Sequence, residues 1–145
     1  MNFSTDRSAG YLANHMARLF AQHLQRRIRP LGLATAQFPV LLALRDREAG
    51  LTQRQLVDRL DIEQATVANT LARMERDGLI RRTAHPDDAR SRLVSLTRKG
   101  RKACAPAIAE AAEGNALAFA DLDDEERERF VELMGRVVAS LKGGL

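Results

Sequence analysis

Apolar residues recur every three or four positions along most of this chain, which is the spacing that predicts amphipathic helices. The first such run covers residues 8–29 and is stopped by Pro30. A second run starts near Thr35, whose side chain can cap a helix, and it ends at Gly50. Two helices are therefore predicted before residue 51.

Two shorter helices separated by a tight turn are predicted next. Thr52 and Gln55 have the spacing of a capping box, so the first of these helices should begin there. Asp61 and Gln64 repeat that spacing and predict the start of the second, which should end at Gly78. A short helix, a tight turn and a second helix are the signature of a helix-turn-helix.

The pattern changes after Gly78 to two short runs that are typical of β-strands, LIRRTA and RLVSL. The polar segment HPDDA between them predicts a hairpin with a polar tip. A long helical stretch with Pro106 near its middle, where a bend is expected, follows Thr97, and a last helix follows the capping-box pair Asp123 and Glu126. The predicted fold is mainly α with a small β-hairpin: a winged helix-turn-helix core with further helices at both ends.

The charge distribution adds a partner class to this picture. Residues 52–102 carry 12 basic and 7 acidic side chains, whereas residues 103–145 carry 4 and 9. A basic middle and an acidic tail favour nucleic acid as the partner of the middle, although a solvated surface gives the same counts. The core must be aliphatic, because aromatic residues make up 4% of the 145 and Trp is absent.

The helix predicted over QATVANTLARMER is the candidate recognition helix. If its apolar residues face the core, the other face carries amides and small side chains suited to reading base edges in a major groove. The candidate base-reading residues are Gln64, Ala65, Thr66, Ala68 and Asn69. An amphipathic helix with a polar outer face is the alternative interpretation.

Arginines bracket the predicted hairpin tip. Arginine is less strongly hydrated than lysine and therefore suits a narrow, negatively charged minor groove. A carboxylate nearby can fix the rotamer of such an arginine, and Asp88 is placed to do so for Arg90. The candidate contacts to the DNA backbone are Arg73, Arg81, Arg82 and Arg92. A cluster of surface ion pairs worth little energy is the alternative.

The run DGLIRRTAHPDDARSRLVSLTRKGR closely resembles the wing of the MarR family of bacterial transcriptional regulators. The family pattern is Gly-Leu after the recognition helix, Asp-x-Arg at the wing tip and Leu-Thr-x-x-Gly beyond it. These motifs stand here at residues 78–79, 88–90 and 96–100. The upstream LTQRQLVDRLDIEQATVANTLARMERDGL is similar to the family's helix-turn-helix, and the order of elements agrees over nearly the whole chain.

The resemblance implies a sequence-specific regulator of double-stranded DNA, a ligand-responsive repressor acting as a homodimer on a pseudo-palindromic operator. It implies that Arg90 enters the minor groove and that Asp88 positions it. Asn69 departs from the family, because its position is often basic there, so no base preference carries over. Two alternatives stay open: a cysteine-based redox-responsive regulator and a winged helix that binds proteins.

The terminal helices carry more apolar surface than a small winged helix can cover, and the resemblance implies that they join two subunits. The predicted segments are a dimerisation helix at residues 1–34, a DNA-binding region at 35–100 and dimerisation helices at 101–145. The acidic last segment would then face away from DNA. The candidate dimerisation residues are Leu12, Met16, Phe130, Leu133, Val137 and Leu141.

The resemblance also implies an effector, since the family often binds small aromatic or phenolic acids between the dimer helices and the winged helix. Two rings for stacking and two polar groups for a carboxylate are candidates for one wall of such a site. They are Tyr11, His15, Arg18 and Phe38, although Phe38 also fits the core stripe of its helix.

Several classes of function are not expected. The three histidines have no metal-ligand spacing with one another or with Cys104, and no glycine-rich phosphate loop is present, so neither an enzyme nor a metal or cofactor site is predicted. No apolar run has the length of a membrane span. The single Cys104 excludes an intrachain disulfide, which fits a cytoplasmic protein; it could act as a thiol sensor beside Arg101 and Lys102 or simply as a small core residue.

Overall fold

The fold is that of a winged helix flanked by longer helices, in a computed structural model that describes residues 4–144. Residues 1–3 and 145, at the ends of the first and last predicted segments, lie outside the described residues. The helices are α1 (Ala9–Ile28), α2 (Phe38–Leu44), α3 (Gln53–Leu60), α4 (Gln64–Arg76), α5 (Arg98–Ala118) and α6 (Asp124–Gly143). The strands are β1 (Leu51–Thr52), β2 (Ile80–Ala84) and β3 (Arg92–Leu96).

Helix α3 begins as the sequence predicts. The Thr52 hydroxyl accepts a hydrogen bond from the Gln55 backbone N–H at 3.1 Å, and the Gln55 side chain accepts one from the Thr52 N–H at 2.9 Å. This capping box satisfies two of the backbone donors that the first turn of a helix leaves unpaired. The same arrangement, between Asp123 and Glu126, opens α6.

Two predicted helix caps were wrong. Asp61 does not open α4: it closes α3 in the left-handed conformation (φ 53°) with its N–H bonded to the Val57 carbonyl, and α4 starts only at Gln64. The tight turn uses Asp61 to reverse the chain, and its side chain is then too early to cap α4. Thr35 does not cap α2 either, because its hydroxyl bonds back to α1 and a 3₁₀ turn over Thr35–Gln37 comes first.

The predicted hairpin is confirmed and gains a third strand. The order is β1-β3-β2, all antiparallel, with Ile80 opposite Leu96 and Ala84 opposite Arg92. The two-residue strand β1 was missed, because so short a segment carries no period of its own. It pairs through Leu51 with Val94 and ties the start of α3 to the middle of β3.

The chain divides into two compact units, one reaching to Ala111 and one from Ala112 onward. An aliphatic core fills the first, where helices α1 to α5 and the sheet contribute apolar side chains that are almost fully buried; the largest are Ile28, Leu41, Leu44, Leu56, Leu71 and Met74. In the second, the rings of Phe119 and Phe130 pack edge to face at 5.7 Å, and the Arg127 guanidinium lies over Phe119. Helix α5 continues through Pro106 without a break.

Candidate DNA-binding surface

Helix α4 divides its residues between the core and solvent as the period of the sequence predicts. Val67, Thr70, Leu71 and Met74 are buried. Of the candidate base-reading residues, Gln64, Ala65, Thr66 and Asn69 are exposed and Ala68 is half-buried, and Arg73 is exposed as well. The polar face is therefore free to meet another molecule along the first two turns of the helix.

The wing tip is a compact turn that Asp88 organises. One carboxylate oxygen of Asp88 accepts a hydrogen bond from the Arg90 backbone N–H at 3.0 Å, and the other accepts one from the Ser91 hydroxyl at 3.3 Å. The Asp87 N–H donates to the His85 ring nitrogen Nδ1 at 3.0 Å. Asp88 thus orders the backbone that carries Arg90. The sequence had predicted a contact between Asp88 and the guanidinium group of Arg90 instead.

The arginines of the hairpin do not share one environment, because successive residues of a strand point to opposite faces. Arg82 lies on the face of Ile80 and Val94, and its Nε is 3.7 Å from the Glu75 carboxylate of α4. This ion pair connects the hairpin to α4. Arg82 was predicted to contact the DNA backbone, but its guanidinium group lies beside Glu75 instead. Within residues 4–144, by contrast, no ion pair involves Arg73, Arg81, Arg90 or Arg92.

The C-terminal end of α4 is held by residues of the Leu-Thr-x-x-Gly motif. The Thr97 hydroxyl donates to the Gly78 carbonyl at 2.6 Å, and the Lys99 ammonium donates to the Asp77 carbonyl at 2.7 Å. The Thr97 N–H also bonds the Leu79 carbonyl at 3.0 Å. These contacts give a physical reason for the Leu-Thr-x-x-Gly motif: it holds the junction between α4 and the hairpin.

Gln37 makes a further contact at the C-terminal end of α4, which the periodicity of the sequence did not predict. Its side-chain Nε2 donates to an Asp77 carboxylate oxygen at 3.3 Å, and this bond is the main reason that the Asp77 pKa lies below its ordinary value. The available signal was its position, because Gln37 stands in the apolar stripe of Val40, Leu41 and Leu44. A polar residue in such a stripe is buried and needs a partner.

The candidate effector residues are only partly brought together. Tyr11, His15 and Arg18 are exposed on α1, and the rings of Tyr11 and His15 lie 6.1 Å apart. Phe38 is half-buried and packs against the core. The candidate dimerisation residues differ as well: Met16 and Phe130 are half-buried and the other four are exposed, with Leu141 at 64%.

Cys104 is not placed like a thiol sensor. It is buried, its thiol donates to the Gly100 carbonyl at 3.4 Å, and burial raises its pKa. The nearby cations Arg101 and Lys102 are exposed on the helix. Because the thiolate is the reactive form, this position disfavours the redox interpretation.

Residues 4–144 contain neither a cluster suited to a metal ion nor a helix suited to a membrane span. Their acidic, histidine and cysteine side chains form no cluster of three that could hold a metal ion. None of the helices in that range is both long and apolar enough to cross a membrane.

Comparison with known proteins identifies the family. The MarR family model matches residues 31–91. The transcriptional regulator HosA of Escherichia coli O111:H- is 35% identical over 126 residues, which cover 86% of this chain and 93% of HosA. Two solved structures at 24% identity share the fold: Staphylococcus aureus MepR bound to DNA (TM-score 0.84, 92% of this chain and 98% of MepR) and Streptomyces coelicolor PcaV with its natural ligand (TM-score 0.85, 97% and 99%). The chain therefore belongs to the MarR family of transcriptional regulators.

Proposed function

We propose that this chain is a sequence-specific regulator of double-stranded DNA that acts as a homodimeric repressor. The observation that carries the proposal is the wing tip: Arg90 is exposed and outside any ion pair of the described residues, on a turn that Asp88 orders. An arginine so presented fits a minor groove, where the negative potential is strongest when the groove is narrow.

Base reading falls to the exposed face of α4. The amides of Gln64 and Asn69 can each pair with N6 and N7 of an adenine, and Ala65 can contact a thymine methyl group. Arg73, Arg81 and Arg92 are exposed cations suited to phosphates, which position a protein without specifying sequence. Arg82 acts in this scheme by bracing the hairpin on α4.

Homodimerisation is supported by apolar side chains that lie exposed on two helices, with Leu12 on α1 and Leu133, Val137 and Leu141 on α6. Exposed apolar surface of this kind marks an interaction site. A two-fold symmetric dimer requires a pseudo-palindromic operator, with half-sites about 10 base pairs apart. MepR, which shares the fold, was solved bound to DNA.

A small aromatic or phenolic acid is the proposed effector. PcaV, of the same fold, was solved with its natural ligand. On this chain, Tyr11 and His15 offer adjacent rings and Arg18 a cation, while Phe38 can contribute only the edge that the core leaves open. An effector releases DNA only if it binds one arrangement of the reading heads better than the other.

The test of DNA binding is Arg90→Ala on an operator found by footprinting the neighbouring promoter. We expect a loss of about 1–3 kcal/mol in operator binding and an unchanged melting temperature, since the side chain is exposed. Asp88→Ala should lose less, because it loosens the turn but keeps the guanidinium group. Arg136→Ala on α6 removes the same charge from the acidic segment and should bind like wild type.

The proposal fails on either of two results. One is an Arg90→Ala variant that binds the operator as tightly as Arg136→Ala does. The other is a monomer at micromolar concentration that leaves no footprint on the promoter, which would favour a winged helix that binds proteins instead.

A further inference from the structure

A buried amide connects the chain between α1 and α2 to the C-terminal cap of α4. Gln37 is 4% exposed, and few polar side chains of the described residues are buried as deeply. Burying an unpaired amide costs free energy, so a glutamine at such a place needs partners of its own. Every buried side-chain polar atom in residues 4–144 has one.

The two partners of Gln37 fix the orientation of its amide. The Ala34 backbone N–H can only donate, and it lies 3.1 Å from the amide oxygen Oε1. The amide nitrogen Nε2 therefore faces the Asp77 carboxylate, which can only accept. Because neither bond would survive a flip of the amide, these two bonds, called here the Ala34–Gln37–Asp77 link, have a single arrangement.

Asp77 stands where a carboxylate is electrostatically unfavourable. It is the C-terminal cap of α4, and negative charge at that end of a helix opposes the helix dipole. Its carboxylate is held on one side by Gln37 and on the other by Nε of Arg76 at 3.2 Å. The bond with Gln37 gives a physical reason for an acid at this position.

The other end of the link reaches α1. The Gln25 side chain donates to the Leu33 carbonyl at 3.2 Å and accepts from the Thr35 N–H at 2.9 Å. Gln25 of α1 is thus bonded to the backbone on either side of Ala34, and Ala34 in turn is bonded through Gln37 to Asp77.

Resting on the proposed function, we propose that Gln37 and Asp77 are positioning residues for operator recognition, which set where α4 lies relative to α1 and α2 without touching DNA. The link holds α4 at its C-terminal end, whereas the candidate base contacts lie at its N-terminal end. A helix of 13 residues is about 20 Å long, so a small tilt at the link becomes a displacement of the reading residues.

The decisive comparison is between losing the link and reversing its polarity. Gln37→Met keeps an unbranched side chain of similar length but removes both bonds. The double variant Gln37→Glu with Asp77→Asn restores them in reverse: the glutamate accepts from the Ala34 N–H and from the new amide, which keeps its oxygen toward Arg76. The net charge is that of the wild type, and Gln22→Met, at an exposed position of α1, is the control.

Operator and non-specific DNA affinities are measured by fluorescence anisotropy at one salt concentration, well below the melting temperature. Gln37→Met should lower the ratio of operator to non-specific affinity about tenfold, equivalent to about 1.4 kcal/mol. The double variant and Gln22→Met should keep the ratio of the wild type. Should Gln37→Met fail to fold, Asp77→Ala breaks the same bond from its half-exposed side and should lower the ratio likewise.

Amide hydrogen exchange at the C-terminal end of α4 measures the stability of the link in the absence of DNA. Exchange at residues 77–79 should speed up in the loss variant and return to the wild-type rate in the double variant. A loss variant that keeps the wild-type affinity ratio, or a double variant that fails to restore it, would overturn the proposal, and so would unchanged exchange. A wild type that binds no operator would instead refute the proposed function and leave the exchange result to decide the link.

Discussion

Gly100, in the first turn of α5, is a position where one added methyl group should disturb the fold directly. A Cβ there would lie far inside van der Waals contact with the Leu79 carbonyl oxygen, 3.2 Å from the Leu79 carbonyl carbon and 3.2 Å from Leu96 Cδ2. The carbonyl is backbone and cannot swing away as a side chain can. It is also the acceptor for the Thr97 N–H, so α5 must move off the hairpin base or break that bond.

Opposing terms set the size of the effect. Overpacking a close-packed site costs about 1–3 kcal/mol, and straining the Thr97 hydrogen bond costs about 1 kcal/mol more. Replacing glycine by alanine inside a helix favours folding by about 1 kcal/mol, which offsets the second cost. Gly100→Ala should therefore lower the free energy of unfolding by about 1–3 kcal/mol.

Gly135→Ala on α6 is the matched control, because no heavy atom beyond the adjacent residues and the local helix backbone lies within 4 Å of a Cβ built at that position. With only the helix propensity acting, it should raise the free energy of unfolding by about 1 kcal/mol. Both variants are measured by urea denaturation at one protein concentration, since self-association alters apparent stability. If Gly100→Ala also proves more stable than the wild type, the close approach of α5 to Leu79 is not a constraint on this fold.

Two further predictions concern chemistry at other places. Cys104 should react with a thiol reagent at least about tenfold more slowly in the native protein than in urea, because burial disfavours the thiolate. Since the folded state keeps the thiol proton to higher pH than the unfolded chain does, the stability that this group contributes is complete below the ordinary thiol range and falls as the pH rises through the folded pKa. Rapid labelling of the native protein would contradict the buried position of Cys104. In a thermal-shift screen of small carboxylates and phenols, compounds that raise the melting temperature should also weaken operator binding, and the Arg18→Ala variant should reduce both effects. Compounds that raise the melting temperature but leave DNA binding unchanged would refute release by an effector, because coupling between two sites is reciprocal.

Local signals were sufficient wherever one helix end or one strand decides the structure. The capping boxes at Thr52 and Asp123 satisfy backbone donors within a single turn, so the residues that make them also reveal them. The hairpin followed from the change of period after Gly78, and the inner and outer faces of α4 followed from its 3.6-residue repeat. The prediction that Asp61 caps α4 was wrong. Its spacing from Gln64 fits a capping box, but the turn between α3 and α4 needs a residue in the left-handed conformation at this position.

The sequence by itself determined the class of the fold, the helices and hairpin that build it, and the face of α4 that meets solvent. Only the tertiary structure decided which polar groups become partners across long separations in the chain, as Gln37 does with Asp77 and Thr97 with Gly78. It also separated Arg82, drawn to Glu75, from Arg81 on the opposite face of the strand. The physical reason is that periodicity records which way a side chain points relative to its own backbone, whereas hydrogen bonds and ion pairs depend on which elements the buried core brings within about 3 Å of each other.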